Sequence, residues 1–147
     1  MHISHEIRKN ITANIATDTV TLDYEGRFLR RKKLISDKGE SFLVELPGTR
    51  SLNPNDGFVL DDGRIISINP AIEPLTRIKH LNLTRIAWHI GNRHVPCQID
   101  SPYLLIRKDH VLEDMLKKLG ADLSTVDAPF IPEGGAYGHG RTHKHLE

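Results

Sequence analysis

The hydrophobic pattern of this chain changes character at "PAIEP", residues 70 to 74, and that change constrains the fold more than any other feature. Two prolines within five residues remove two backbone donors and fix two φ angles, so the stretch is expected to be a linker between separately folding parts. Before it, the segments read as strands and turns. "TVTLDY" alternates with period two, "SFLVEL" is a short apolar run stopped by Pro47-Gly48, and "GFVL" and "RIISI" flank "DDG". Asp-Gly supplies the positive φ of a tight turn, so Phe58 to Leu60 and Ile65 to Ile68 are expected to pair as a hairpin about Asp61-Asp62-Gly63. No strong helical period appears in this half, and residues 1–70 are expected to form a small all-β domain.

After the break, strands alternate with helices. "LTRIKH" reads as a strand, and Asn82 can then cap a helix whose Leu83, Ile86, Ala87 and Ile90 fall on one face before Gly91-Asn92 ends it. "VPCQI" and "YLLIR" follow as short strands around "DSP". A second helix begins at Asp109, with Val111, Leu112, Met115, Leu116 and Leu119 on its apolar side, acidic residues early, lysines late and Gly120 just past its end. "LSTVDAPF" supplies a last strand. The order β-α-β-β-α-β predicts a ferredoxin-like domain over residues 71–133 in an α+β protein. From residue 134 the chain is glycine-rich and polar, a tail too poor in apolar residues to offset the entropy of ordering and expected to be mobile without a ligand.

Charge excludes some partners. The 147 residues hold 20 Lys and Arg against 19 Asp and Glu, split 10 to 10 up to Pro70 and 10 to 9 after it, so neither half has the excess that draws a phosphate backbone or an anionic membrane. No apolar run approaches the ~20 residues that span a bilayer, nor does the start read as a leader, and the protein is expected in the cytoplasm. A single cysteine, Cys97, excludes a disulfide framework and a Cys-x-x-Cys site. In "VPCQI" it reads as a buried strand residue, not a nucleophile.

No phosphate-binding loop, nucleophile elbow or His-Glu-x-x-His helix is present. Histidine is the unusual residue, with 9 copies, three of them in "GHGRTHKHLE" at the end. His143 and His145 are two apart, so an extended chain projects both rings from one side, and His139 stands four residues further back. Neutral imidazole suits nickel, copper and zinc. The same spacing also fits an adventitious tail. His94, in "GNRHVP", stands between a helix end and Pro96, a rigid connection from which a ring can point into a site or an interface. A two-fold axis beside it would present two imidazoles to one ion. His110, in the first turn of the second helix, is read first as structural and second as a ligand. His80 and His89 are expected to be partly exposed structural residues, and His2 and His5 are assigned no role.

"WHIGNRHVPCQI", "LLIRKDHVLEDMLKKLGA" and "APFIPEGGAYGHG", followed by a histidine-bearing tail, together resemble the UreE-type urease accessory proteins, dimeric nickel metallochaperones. The resemblance covers most of residues 86 to 145. It implies a non-enzymatic carrier of Ni²⁺, with Zn²⁺ or Cu²⁺ as competitors, working as a homodimer with the urease accessory GTPase and the apo-urease assembly complex. It implies an N-terminal domain that meets partner proteins and a C-terminal domain that dimerises and binds metal. It also makes His94 the ligand shared by both subunits, with His143, His145 and, less directly, His139 completing the shell. Two departures matter: three tail histidines cannot store several ions, and Lys108-Asp109-His110 replaces the His-x-His pair that some relatives carry there. Two other readings stay open, a general metal buffer with no dedicated client, and an RNA-binding module, since the same scaffold carries RNA-recognition domains.

Overall fold

A computed structural model describes residues 1–12 and 14–134. It separates into two compact units, Met1–Ala71 and a second from Ile72 onward. The His139, His143 and His145 expectations, and that of a mobile tail, lie outside the described residues.

The first unit contains β1 (His2–Arg8), β2 (Asp18–Leu22), a 3-10 turn at Glu25–Arg27, β3 (Phe28–Ile35), β4 (Ser41–Ser51), β5 (Gly57–Leu60) and β6 (Ile65–Pro70). They form one sheet in the order β2-β6-β5-β1-β4-β3. The Asp61-Asp62-Gly63 hairpin is present: β5 and β6 pair antiparallel, and Gly63, at φ +91°, donates its N–H to the Leu60 carbonyl at 2.9 Å. Inward residues at period two build the core, with Phe42, Val44 and Leu46 from β4 against Phe58 and Leu60 from β5 and Ile66 and Ile68 from β6. The Phe42 and Phe58 rings meet at 5.7 Å, tilted by 58°.

Two expected breaks are not breaks. β4 continues through Pro47-Gly48, because its pairing with β1 ends at Val44 and its register with β3 shifts between Leu29 and Arg31, so no ladder bond is asked of Pro47. Likewise "PAIEP" is not a loop. Pro70 is the last residue of β6, and Pro74 lies inside β7 (Ile72–Lys79), opposite Asp127 but before the pairing with the next neighbour begins at Leu75. Proline is tolerated where one side of a strand is open.

The second unit runs β7, α1 (Leu83–Asn92), β8 (Gln98–Ile99), β9 (Leu104–Arg107), α2 (His110–Lys118) and β10 (Asp122–Pro129), with sheet order β10-β7-β9-β8. That is the ferredoxin-like arrangement expected from the pattern. Ile86 and Ile90 of α1 and Leu112 and Leu116 of α2 bury against Ile78, Leu104 and Ile106 of the sheet. Val111, expected on the apolar side of α2, is 63% exposed, because the buried stripe is set by Leu112 and Leu116. Among the described residues no helix is long and apolar enough to cross a membrane.

Candidate metal centre

The site begins with how α1 starts and stops. Asn82 is its N-cap, the side-chain carbonyl accepting the Arg85 N–H at 3.2 Å. The helix does not end at Gly91-Asn92, both of which are helical. It ends at Arg93, and the left-handed residue after it is His94, at φ +57°. The His94 N–H donates to the Gly91 carbonyl at 3.0 Å and the Val95 N–H to the Ile90 carbonyl at 3.5 Å, the paired bonds of a Schellman closure. Ending two residues later than expected lets Val95 pack with Ile90 in the second core. Pro96 then keeps Val95 out of the helical region.

A left-handed residue at this position is usually glycine, and a side chain there costs on the order of 1 kcal/mol. His94 is half-buried and held at a fixed point of the backbone. Beyond it, Val95 and Pro96 line a cleft of about 430 Å³ together with Glu73, Pro74 and Arg107 to Asp109. His110, which is not among the lining residues, follows Asp109 as the first residue of α2, with Asp109 capping the helix through the Leu112 N–H at 3.0 Å. The His110 side chain points outward, its Nε2 3.8 Å from Asp114.

The last described residues are pinned beside the same connection. The Glu133 N–H donates to the Cys97 carbonyl and the Ile131 N–H to Gln98 Oε1, both at 2.9 Å. Cys97 lies one residue before β8, partly buried, and burial with help from the Glu133 carboxylate pushes its thiol up to about 12. It is therefore a protonated thiol at neutral pH, neither nucleophile nor ready ligand. His80 is half-buried and structural: its Nε2 contacts the Leu119 carbonyl at 3.1 Å while Nδ1 accepts the Asn82 N–H at 2.9 Å. His89 is also half-buried, edge-on to Trp88 at 5.1 Å.

Among the described residues, the one place where three metal-ligating side chains converge lies elsewhere, at His2, Asp61 and Asp62. Sequence reading gave His2 no role, and nothing local links it to partners 59 residues away. Its Nδ1 is 2.5 Å from Asp61 and its Nε2 3.5 Å from Asp62. Asp62 also bonds Arg64 at 2.7 Å, and Arg64 makes a bidentate pair with Glu40. The Arg64 backbone N–H and guanidinium hold Asp62 below the ordinary carboxylate range, and the His2 hydrogen bond does the same for Asp61. With a guanidinium already in place, the group acts as an ion-pair network. His5 contacts the Glu45 carbonyl at 3.0 Å.

The fold defines an α+β protein of two units, all-β and then ferredoxin-like, with no aromatic on the four strands of the second sheet where an RNA-recognition domain would stack bases. Residues 2–71 match the family description "UreE urease accessory protein, N-terminal domain" and residues 73–147 the corresponding C-terminal domain. The chain is 54% identical over 140 residues to the urease accessory protein UreE of Ruegeria pomeroyi, covering 95% of this chain and 94% of that one. It is 52% identical to the Rhodobacter capsulatus protein of that name (88% and 83% covered) and 54% to that of Paracoccus denitrificans (84% and 79%). The chain belongs to the UreE family of urease accessory proteins.

Proposed function

We propose that this protein is a nickel carrier for urease assembly, not an enzyme, and that His94 is the fixed ligand of its metal site. The observation that carries this reading is the left-handed backbone of His94. An imidazole occupies a position where glycine would close the same helix at lower cost, and strain of this kind is characteristic of positions retained for function. In a homodimer with its two-fold axis beside this connection, two His94 rings face one Ni²⁺, and His143, His145 and His139 supply further nitrogens. The tail starts next to Cys97, and His139, six residues beyond Glu133, is within a reach of ~20 Å. His110, the residue after the cleft-lining Asp109, is an accessory ligand at most. A few neutral nitrogens with positions left open to water hold nickel and exchange it, whereas Zn²⁺ and Cu²⁺ compete for the same donors.

In this reading residues 71–133 dimerise and bind metal, and residues 1–70 face partner proteins, the accessory GTPase and apo-urease among them. Trp88, 62% exposed on α1 within two turns of His94, is the kind of anchor a dimer interface uses. The test is Ni²⁺ titration by calorimetry on the full chain, beside His94→Gly and a chain truncated after Tyr137. Expected is one tight ion per dimer, weakened about a hundredfold by His94→Gly in a protein that melts higher than the parent, and weakened less by truncation. Nickel affinity untouched by His94→Gly would overturn the assignment.

A further inference from the structure

We propose that the outer edge of β3, Phe28–Ile35, is a docking strand for an extended acidic segment of another protein, which pairs with the sheet as an added strand. β3 is the terminal strand of its sheet, and among the described residues its ladder pairing is with β4 alone. It buries two of its eight residues, Leu29 and Leu34, while Arg30, Arg31, Lys32 and Lys33 between them are all exposed. Residues five apart lie on opposite faces of a regular strand. Here the register shift between Leu29 and Arg31 breaks the alternation and opens both faces of the middle four residues.

The result is a row of four cations along a row of main-chain donors and acceptors. Arg31 is paired with Glu45 at 2.8 Å, and Lys32 and Lys33 have no ion pair among the described residues. Exposed Phe28 (41%) and Ile35 (63%) bracket the row. At the register shift a shallow cavity of about 280 Å³, lined by His5, Arg30, Glu45, Leu46 and Pro47, lies beside the strand. The free edge is bounded, because just past Ile35 the Asp37 N–H donates to the Thr19 carbonyl at 2.8 Å and ties the chain to β2.

Charge selects the occupant. A second copy pairing antiparallel would set Arg-Arg-Lys-Lys against itself, which is how cationic edge residues protect a sheet from its own kind. An extended segment with acidic side chains at alternate positions meets the opposite condition, with main-chain bonds for affinity and, because strand residues alternate between faces, the cations on the face its acids share for selectivity. A long polyanion fits less well, since Glu45 stands opposite Arg31 in the row and the chain as a whole carries +1. This inference rests on the reading that residues 1–70 face partner proteins and adds the strand and the chemistry of the contact; it uses none of the histidines of the metal site, so it can fail while the nickel reading stands.

The experiment is fluorescence anisotropy on the metal-free full chain at low salt, with a labelled peptide of alternating Glu and Val as the probe. Saturable binding is expected, weakened about tenfold by the double charge reversal Lys32→Glu with Lys33→Glu and unaffected by Lys79→Glu in the second unit. Arg30→Glu is the second variant should the double reversal melt abnormally. N-methylation of alternate peptide amides should abolish binding by removing the strand-forming donors. Equal binding of the methylated peptide, tighter binding of a single-stranded oligonucleotide of matched charge, or no binding of the parent peptide would each overturn the proposal.

Discussion

The two helices of the second unit end in the same hydrogen-bond pattern with different residues at its pivot. After α2, Gly120 sits at φ +83°, its N–H bonded to the Lys117 carbonyl and the Ala121 N–H to the Leu116 carbonyl, both at 3.0 Å. After α1, His94 takes the place of that glycine. Gly120 lets a chain turn back at no steric cost, whereas His94 makes the same turn carrying a ring. The closure itself needs only a residue that tolerates the left-handed region, which glycine supplies at one end and His94 at the other.

The largest effect should come from what the two closures share. Ile90→Ala and Leu116→Ala each remove a buried side chain next to the carbonyl that closes its helix, and each should cost about 3 kcal/mol in denaturant unfolding. Similar losses would establish that both ends rest on the same apolar clamp. A much smaller loss for Ile90→Ala would mean that the α1 closure is held by something other than Val95 against Ile90.

Exchanging the pivots should move stability in opposite directions. His94→Gly should gain about 1 kcal/mol and Gly120→His lose about as much, read from the same denaturation midpoints. A Cβ at position 120 would meet only His80 Nε2, at 3.8 Å, so the penalty there is dihedral rather than steric. If His94→Gly destabilises, the ring is a structural element and the comparison between the two ends fails.

The smallest effect distinguishes the two units by pH. Among the described residues, the carboxylates held below their ordinary range, Glu40, Glu45, Asp61 and Asp62 among them, lie in the first unit, where the Arg64 guanidinium is the main cause for Glu40 and Arg31 for Glu45. Because their folded values are depressed, their stabilisation is complete above the ordinary carboxylate value near ~4 and is lost as pH falls below it. Melting followed by circular dichroism should decline between mildly acidic and strongly acidic buffer, and Arg64→Ala should flatten that decline. These groups are exposed, so the change should be modest. Trp88 fluorescence, from the sole tryptophan and in the second unit, should follow pH less steeply.

Much of this architecture was legible because its signals are local. Asn82, Asp109 and Gly120 mark helix ends by chemistry within four residues, and the Asp-Gly turn marks its own hairpin. What escaped reading depends on partners distant in sequence. Pro47, Pro70 and Pro74 look like breakers until one knows which side of each strand is unpaired, and the parallel pairing of β1 with β4 and β2 with β6 leaves no mark on either strand alone. His2 finds Asp61 and Asp62 only through that sheet. His94 was singled out from its neighbours, but its left-handed backbone was not foreseen: histidine, like the asparagines that take the same conformation at Asn10 and Asn55, is among the non-glycine types that adopt it most often, yet Gly91 three residues earlier offered the commoner closing residue. Gly91, which drew the expected helix end toward itself, lies within the last turn instead.

The protonated state of Cys97 also bears on how the molecule can be handled. With its thiol pushed up to about 12, it presents at neutral pH roughly a thousandth of the thiolate an ordinary cysteine offers. Maleimides and iodoacetamides should ignore it on the timescale of a normal labelling reaction. A reporter dye could then be placed on a cysteine introduced at an exposed position of either unit, leaving the native chain otherwise intact.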